Sequence, residues 1–182
     1  LRAALADESV AEGSVIRVAK LTETVTAEIA VNKGVVVESA SGDPEDVRFV
    51  GRAPNTNGRV FSVNHKKAVL RNLVAEKGRA PSDSYATGGC ISIGSAGGTV
   101  DGCVIRGGTH ASYSTRASGG GAGIACTGAS GVIANCVITN NTLSANGVIQ
   151  GAGVYMTAGL IVNSFIAKNY TTTTTNWGAG AH

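Results

Sequence analysis

The sequence predicts an all-β solenoid, and three observations predict it. A phrase recurs in the second half: Gly88-Gly89-Cys90-Ile91-Ser92-Ile93, Gly121-Ala122-Gly123-Ile124-Ala125-Cys126 and Gly151-Ala152-Gly153-Val154-Tyr155-Met156. Each copy is followed by a second phrase: Val100-Asp101-Gly102-Cys103-Val104-Ile105, Ile133-Ala134-Asn135-Cys136-Val137-Ile138 and Ile161-Val162-Asn163-Ser164-Phe165-Ile166. The intervals vary, 33 then 30 residues for Ile91, Ile124 and Val154, and 33 then 28 for Val100, Ile133 and Ile161. Short, Gly-bounded, β-branched phrases read as strands. Variable spacing between them puts the insertions in loops, as in a coil whose turns stack on one another. The fold class that follows is a right-handed parallel β-helix.

Composition agrees. Glycine makes up 26 of 182 residues, charged residues are 15% and aromatics 4%, against roughly 25% charged in ordinary domains. A narrow interior of stacked Val, Ile and Ala leaves little room for rings, and tight corners call for Gly and Asn. The length suits one domain over residues 1–182, with 1–12 as an N-terminal cap and 13–182 as coils. Net charge is +3 with no basic block longer than Lys66-Lys67, too diffuse for nucleic-acid binding. No apolar run approaches the roughly 18–20 residues of a membrane span. The chain opens on Leu1 without a signal peptide and reads as a mature or truncated product.

The elements follow in order. Leu1 to about Val10 reads as a short helix with Leu1, Ala4 and Leu5 on one face, placed to cover the open end of the stack. Strands are expected at Val15–Ala19, Glu28–Val31, Val35–Ser39, Val47–Val50, Val60–Val63 and Leu70–Ala75, with turns at Asn32-Lys33-Gly34, Gly42–Asp46 and Asn55–Gly58. Leu70–Ala75 lies in register with the Val100 phrase, 30 residues on. Two ladders emerge: Asn72, Gly102, Asn135, Asn163 at a corner, and Leu73, Cys103, Cys136, Ser164 facing inward. Ile91, Ile124 and Val154, and Ile105, Ile138 and Ile166, are expected to stack inside. Gly178-Ala179-Gly180-Ala181 matches the opening of another coil. A fragment of a longer β-helix, or a C-terminal edge covered by another subunit in an oligomer or filament, is the expectation there.

These phrases resemble the right-handed parallel β-helix, or pectin-lyase-like, superfamily. The resemblance is nearest to bacterial surface and secreted β-helix repeat proteins such as polymorphic outer-membrane proteins and related adhesins. It is carried by Gly121 to Ile124, Gly151 to Val154 and Phe165 to Asn169. Leu1–Leu5 with Gly13–Ile16, and Val31–Val35 with the following Asp43-Pro44-Glu45-Asp46 loop, resemble the start of such domains. The resemblance implies an extracellular or cell-surface location and a scaffold, adhesion or assembly role. It also admits a second function, a polysaccharide lyase or glycoside hydrolase, because the fold hosts both.

Lyases and hydrolases of this fold gather Asp, Arg, Lys or His on an outer sheet face. After Asp46 the acids are Glu76, Asp83 and Asp101, and Asp101 is stacked among Arg71, Ala134 and Val162. It reads as an outward residue. Asp43, Glu45 and Asp46 read as a turn with an acidic rim, since no Asp-x-Asp-x-Asp-Gly pattern is present. His65, His110 and His182 are never paired at ligand spacing, and no metal or cofactor is expected. The four cysteines form no Cys-x-x-Cys pair, and Cys103 and Cys136, stacked about one strand spacing apart, read as buried free thiols rather than a disulfide. The long insertions 78–87, 107–118, 140–147 and 169–177 leave equivalent points of successive coils. They would gather Arg79, Asp83, Tyr85, His110, Tyr113, Arg116, Tyr170 and Trp177 on one side, a candidate surface for a polysaccharide or a host or cell-surface protein.

Overall fold

In the computed structural model the residues described are 1–51, 58–80, 88–110, 119–144, 150–172 and 179–181. Among them every strand-to-strand pairing is parallel, and the strands wind as a β-solenoid. One sheet stacks Val15–Val18, Val36–Ser39, Val69–Arg71, Gly98–Asp101, Gly131–Ala134 and Leu160–Val162. A second stacks Leu21–Val25, Val47–Gly51, Val74–Glu76, Val104–Arg106, Val137–Thr139 and Phe165–Ala167. A third stacks Ile29–Val31, Phe61–Val63, Ile91–Ile93, Ile124–Cys126 and Val154–Met156. A short fourth sheet holds Thr109–His110, Thr142–Leu143 and Tyr170–Thr171. No helix among the described residues is long and apolar enough to cross a membrane.

The expected registers are present. Ile124 pairs with both Ile91 and Val154, and Ile138 with Ile105 and Ile166. Leu70, Val100, Ile133 and Ile161 form one inward column. Side chains alternate across a strand, so each inward column is flanked by outward ones. The interior is aliphatic, with Phe49 and Phe61 as the large rings, meeting edge to face with centroids 5.0 Å apart.

Two readings need correction. The second phrase, expected as one strand with a corner ladder inside it, is two strands folded about that expected corner: Val69–Arg71 and Val74–Glu76, then Gly98–Asp101 and Val104–Arg106. Asn72, Gly102, Asn135 and Asn163 turn that corner in the left-handed region, at φ of 51°, 62°, 54° and 46°. Asn accepts this conformation more readily than other side chains because its amide bonds locally. The strand Leu21–Val25 was not anticipated, because Thr22-Glu23-Thr24 carries no apolar alternation strong enough to mark it.

The N-terminal helix is shorter than expected, Arg2–Ala6. Leu1, Leu5 and Val10 pack against the end of the core while remaining partly exposed. Polar ties hold this cap: Arg2 donates to the carbonyls of Ala27 and Glu28, and Lys33 Nζ donates to the carbonyl of Asp7 at 2.6 Å.

Candidate functional site

The long insertions share a root. After the second sheet the chain turns a further corner at Lys77, Gly107, Asn140 and Lys168, all at positive φ between 53° and 64°. It then enters the fourth sheet, where Thr109, Thr142 and Tyr170 stand in one column and His110, Leu143 and Thr171 in the next. The insertions leave from there, so their roots are stacked about one strand spacing, ~4.8 Å, apart.

An amide ladder not anticipated from the sequence anchors this root. Gly108 donates its N–H to Asn141 Oδ1 at 2.8 Å, and Asn141 Nδ2 donates to Asn169 Oδ1 at 2.9 Å. Both amides also donate to core carbonyls, Asn141 to Ile105 and Asn169 to Ile138. Asn141 is fully buried, and buried amides are tolerated when their hydrogen bonds are made. The sequence signal was there: Gly108, Asn141 and Asn169 each follow Ile105, Ile138 and Ile166 by three residues.

The candidate surface residues divide. Tyr170 is 53% exposed on the outer column of the fourth sheet. Arg79 lies at the same edge, half-buried, its backbone bridging Gly58 and Thr109. His110 is 1% exposed, in the column of buried Leu143, and belongs to the interior of this edge rather than to its surface. A strand reverses side-chain direction at every residue, which is what sends His110 inward beside outward Thr109. Asp83, Tyr85, Tyr113, Arg116 and Trp177 lie outside the described residues, as does most of the turn at Asn55–Gly58.

The carboxylates of the outer sheet faces are engaged with arginines. On the first sheet Arg17, Glu38, Arg71 and Asp101 occupy one outward column with alternating charge. Their contacts are 3.1 Å for Arg17–Glu38, 3.5 Å for Glu38–Arg71 and 3.2 Å for Arg71–Asp101. Asp101 also accepts from Asn135 Nδ2 at 2.7 Å, and Asn135 Oδ1 in turn accepts from Asn163 Nδ2 at 2.7 Å. On the second sheet Glu76 accepts from Arg48 at 2.6 Å and from Arg106 at 2.7 Å, and Arg106 reaches on to both carboxylate oxygens of Glu45.

Burial raises the Glu76 carboxyl, but hydrogen bonds from Arg106 and Arg48 outweigh it and hold the group below the usual carboxylate value. A carboxylate held ionised in this way is unsuited to donate a proton near neutral pH, which a general acid must do. Asp43, Glu45 and Asp46 do not converge. Asp43 caps the short turn by accepting from the Glu45 N–H, Glu45 pairs with Arg106, and Asp46 pairs with Lys20. Among the described residues no three His, Cys, Asp or Glu side chains are grouped to hold a metal ion. An open recess of about 280 Å³ sits at the cap, lined by Arg2, Leu5, Ala6, Glu28, Ile29 and Ala30.

The cysteines are buried and free. Burial pushes the Cys90 thiol up to about 12 and the Cys136 thiol up to about 11, and raises those of Cys103 and Cys126. Cys136 donates weakly to the carbonyl of Ala134, a small filler completing a corner rather than a nucleophile.

No protein-family model, curated protein or solved structure matches the chain.

Proposed function

We propose that the domain is a non-enzymatic extracellular or cell-surface scaffold of the pectin-lyase-like kind, serving adhesion or assembly and contacting a polysaccharide or a surface protein along its loop-bearing edge. The observation that carries this reading is the in-register stacking of the loop roots on the fourth sheet. A rigid frame that presents equivalent loops at regular spacing is the way repeat proteins build extended binding surfaces. Exposed Tyr170 on that edge supplies an aromatic face of the type that packs on sugar rings or partner side chains. The engagement of Glu38, Glu76 and Asp101 with arginines weighs against assigning them acid–base work.

A glycan array and a lyase and hydrolase screen on one preparation test this. Specific capture of a glycan without cleavage, weakened by Tyr170→Ala, is the expected result. Turnover of any polysaccharide would replace the scaffold with an enzyme.

A further inference from the structure

The flank of the solenoid formed by the first sheet carries two outward columns that are complementary to their own reversal. Residues two apart on a strand share a face, so Val15, Val36, Val69 and Thr99 form one column and Arg17, Glu38, Arg71 and Asp101 the one beside it. Outward positions of a solvated sheet are normally polar, yet Val36 and Val69 stand half-buried on the outside of this one. The ions beside them form a single file along the column, and the arginine side chains stay open to solvent, Arg17 at 69% and Arg71 at 42%.

The order of these charges restricts what can lie against them. Along successive coils the column reads positive, negative, positive, negative. A second copy, turned about a two-fold axis parallel to the strands and passing between Glu38 and Arg71, presents the same column reversed. Arg17 then faces Asp101 of the second copy, Glu38 faces its Arg71, and Val36 faces its Val69. A slip of one coil sets Arg17 against Arg71 or Glu38 against Asp101, like charges that an interface rejects. Coils stacked in the same direction would lay the charged column on the valines and strip water from ions with nothing opposite them. The second sheet offers no equivalent, because its Glu76 is 3% exposed and closed between Arg48 and Arg106.

We infer that two copies of the chain associate flank to flank through the outer face of the first sheet, their coils running in opposite directions. The contact is isologous and closes at two copies. It covers the aliphatic column from both sides and gives each acid an arginine from across the junction. The matched rows span four coils, about 15 Å from first to last. That footprint is smaller than the roughly 800 Å² per partner of a standard interface, so the dimer is weak, with a dissociation constant on the order of 100 μM. The inference goes beyond the scaffold reading and stands or falls separately, because mass and ligand capture are read in different experiments.

Sedimentation velocity on the full chain, from micromolar to about 1 mM, tests it. A reversible equilibrium between monomer and dimer is expected, with no growth beyond it. Arg17→Glu changes an open side chain and should retain the wild-type circular dichroism and urea midpoint. It should weaken association on the order of 10-fold, because an acid then faces Asp101. Asp101→Lys should weaken it likewise by setting a base against Arg17. Mixed in equal amounts, these variants should pair with each other about as well as the wild type, since the opposed charges are exchanged together. Damage to the fold alone could not be repaired in this way. Thr139→Glu, on the outer face of the second sheet, should leave association unchanged. A monomer at every concentration, growth past the dimer, undiminished association of Arg17→Glu, or equal sensitivity to Thr139→Glu would each overturn the proposal. So would a folded Asp101→Lys chain that does not pair with Arg17→Glu; should Asp101→Lys fail to fold, Arg17→Glu decides alone.

Discussion

Arg106 reaches back one strand spacing to Glu76 at 2.7 Å, while Arg48 grips the other carboxylate oxygen from the opposite side at 2.6 Å. The carboxylate they share is 3% exposed, so two arginines, from the coils on either side of its own, are pinned by one acid between them. Glu76→Gln should therefore destabilise by about 2–3 kcal/mol, the usual size for hydrogen bonds to charged groups. Urea unfolding of the variant checks this, and a change below experimental error would mean that solvent screens the pair.

The same residue sets an acid limb. Its carboxyl is held below the ordinary value, so the native state binds fewer protons than the unfolded chain. That contribution is fully present above the unfolded value, about 4.3, and is lost as pH falls through the folded value. Below about pH 4, stability should fall less steeply in Glu76→Gln than in the wild type. Urea midpoints from pH 6 downward read the difference, and parallel curves would count against it.

The corner at Asn135 separates backbone from side chain. Asn135→Gly keeps the left-handed conformation at no steric cost but removes the amide that joins Asp101 to Asn163. Asn135→Ala loses both, and should be the less stable of the two by about 1 kcal/mol. Thermal melts of the pair decide it. Equal stability would show that the amide, not the turn, is what the position requires.

Thiol labelling reports the core. Cys90, Cys103, Cys126 and Cys136 are each buried, with thiols raised in pKa by that burial. Native protein should resist a thiol reagent until denaturant is added, and Cys136→Ala should cost about 1–2 kcal/mol, a small cavity's worth. Fast labelling under native conditions would place the corner column outside the core.

How much of this was legible in the sequence depends on the strength of the alternation. Ile91–Ile124–Val154 and Ile105–Ile138–Ile166 declare themselves because identical inward columns repeat at each coil. The sequence placed Asn72, Gly102, Asn135 and Asn163 at a corner, but the halves of the phrase on either side are too short to show that they belong to two different sheets, which the backbone shows. The fourth sheet was hidden because Thr109-His110 and Thr142-Leu143 are too short for a pattern to form. That is also why His110 was placed on the surface: two residues give no parity to tell inside from outside. The pair of Glu45 with Arg106 was out of reach for another reason, since the two lie 61 residues apart and meet through a turn whose aim no spacing specifies.

The glycines that precede the last three third-sheet strands carry a consequence for how such a chain can change. Gly88, Gly121 and Gly151 sit at φ of 71°, 73° and 64°. A Cβ on any of them would fall within about 2.3 Å of the carbonyl oxygen three residues on, that of Ile91, Ile124 or Val154. Each glycine thus acts as a reset point. Whatever number of residues precedes it, the chain restarts in the same phase, and the following strands find their columns without reference to the loop just crossed. Length is free on one side of the glycine and fixed on the other, so new loop sequence could be spliced in ahead of Gly88, Gly121 or Gly151 one coil at a time, leaving the frame to fold as before.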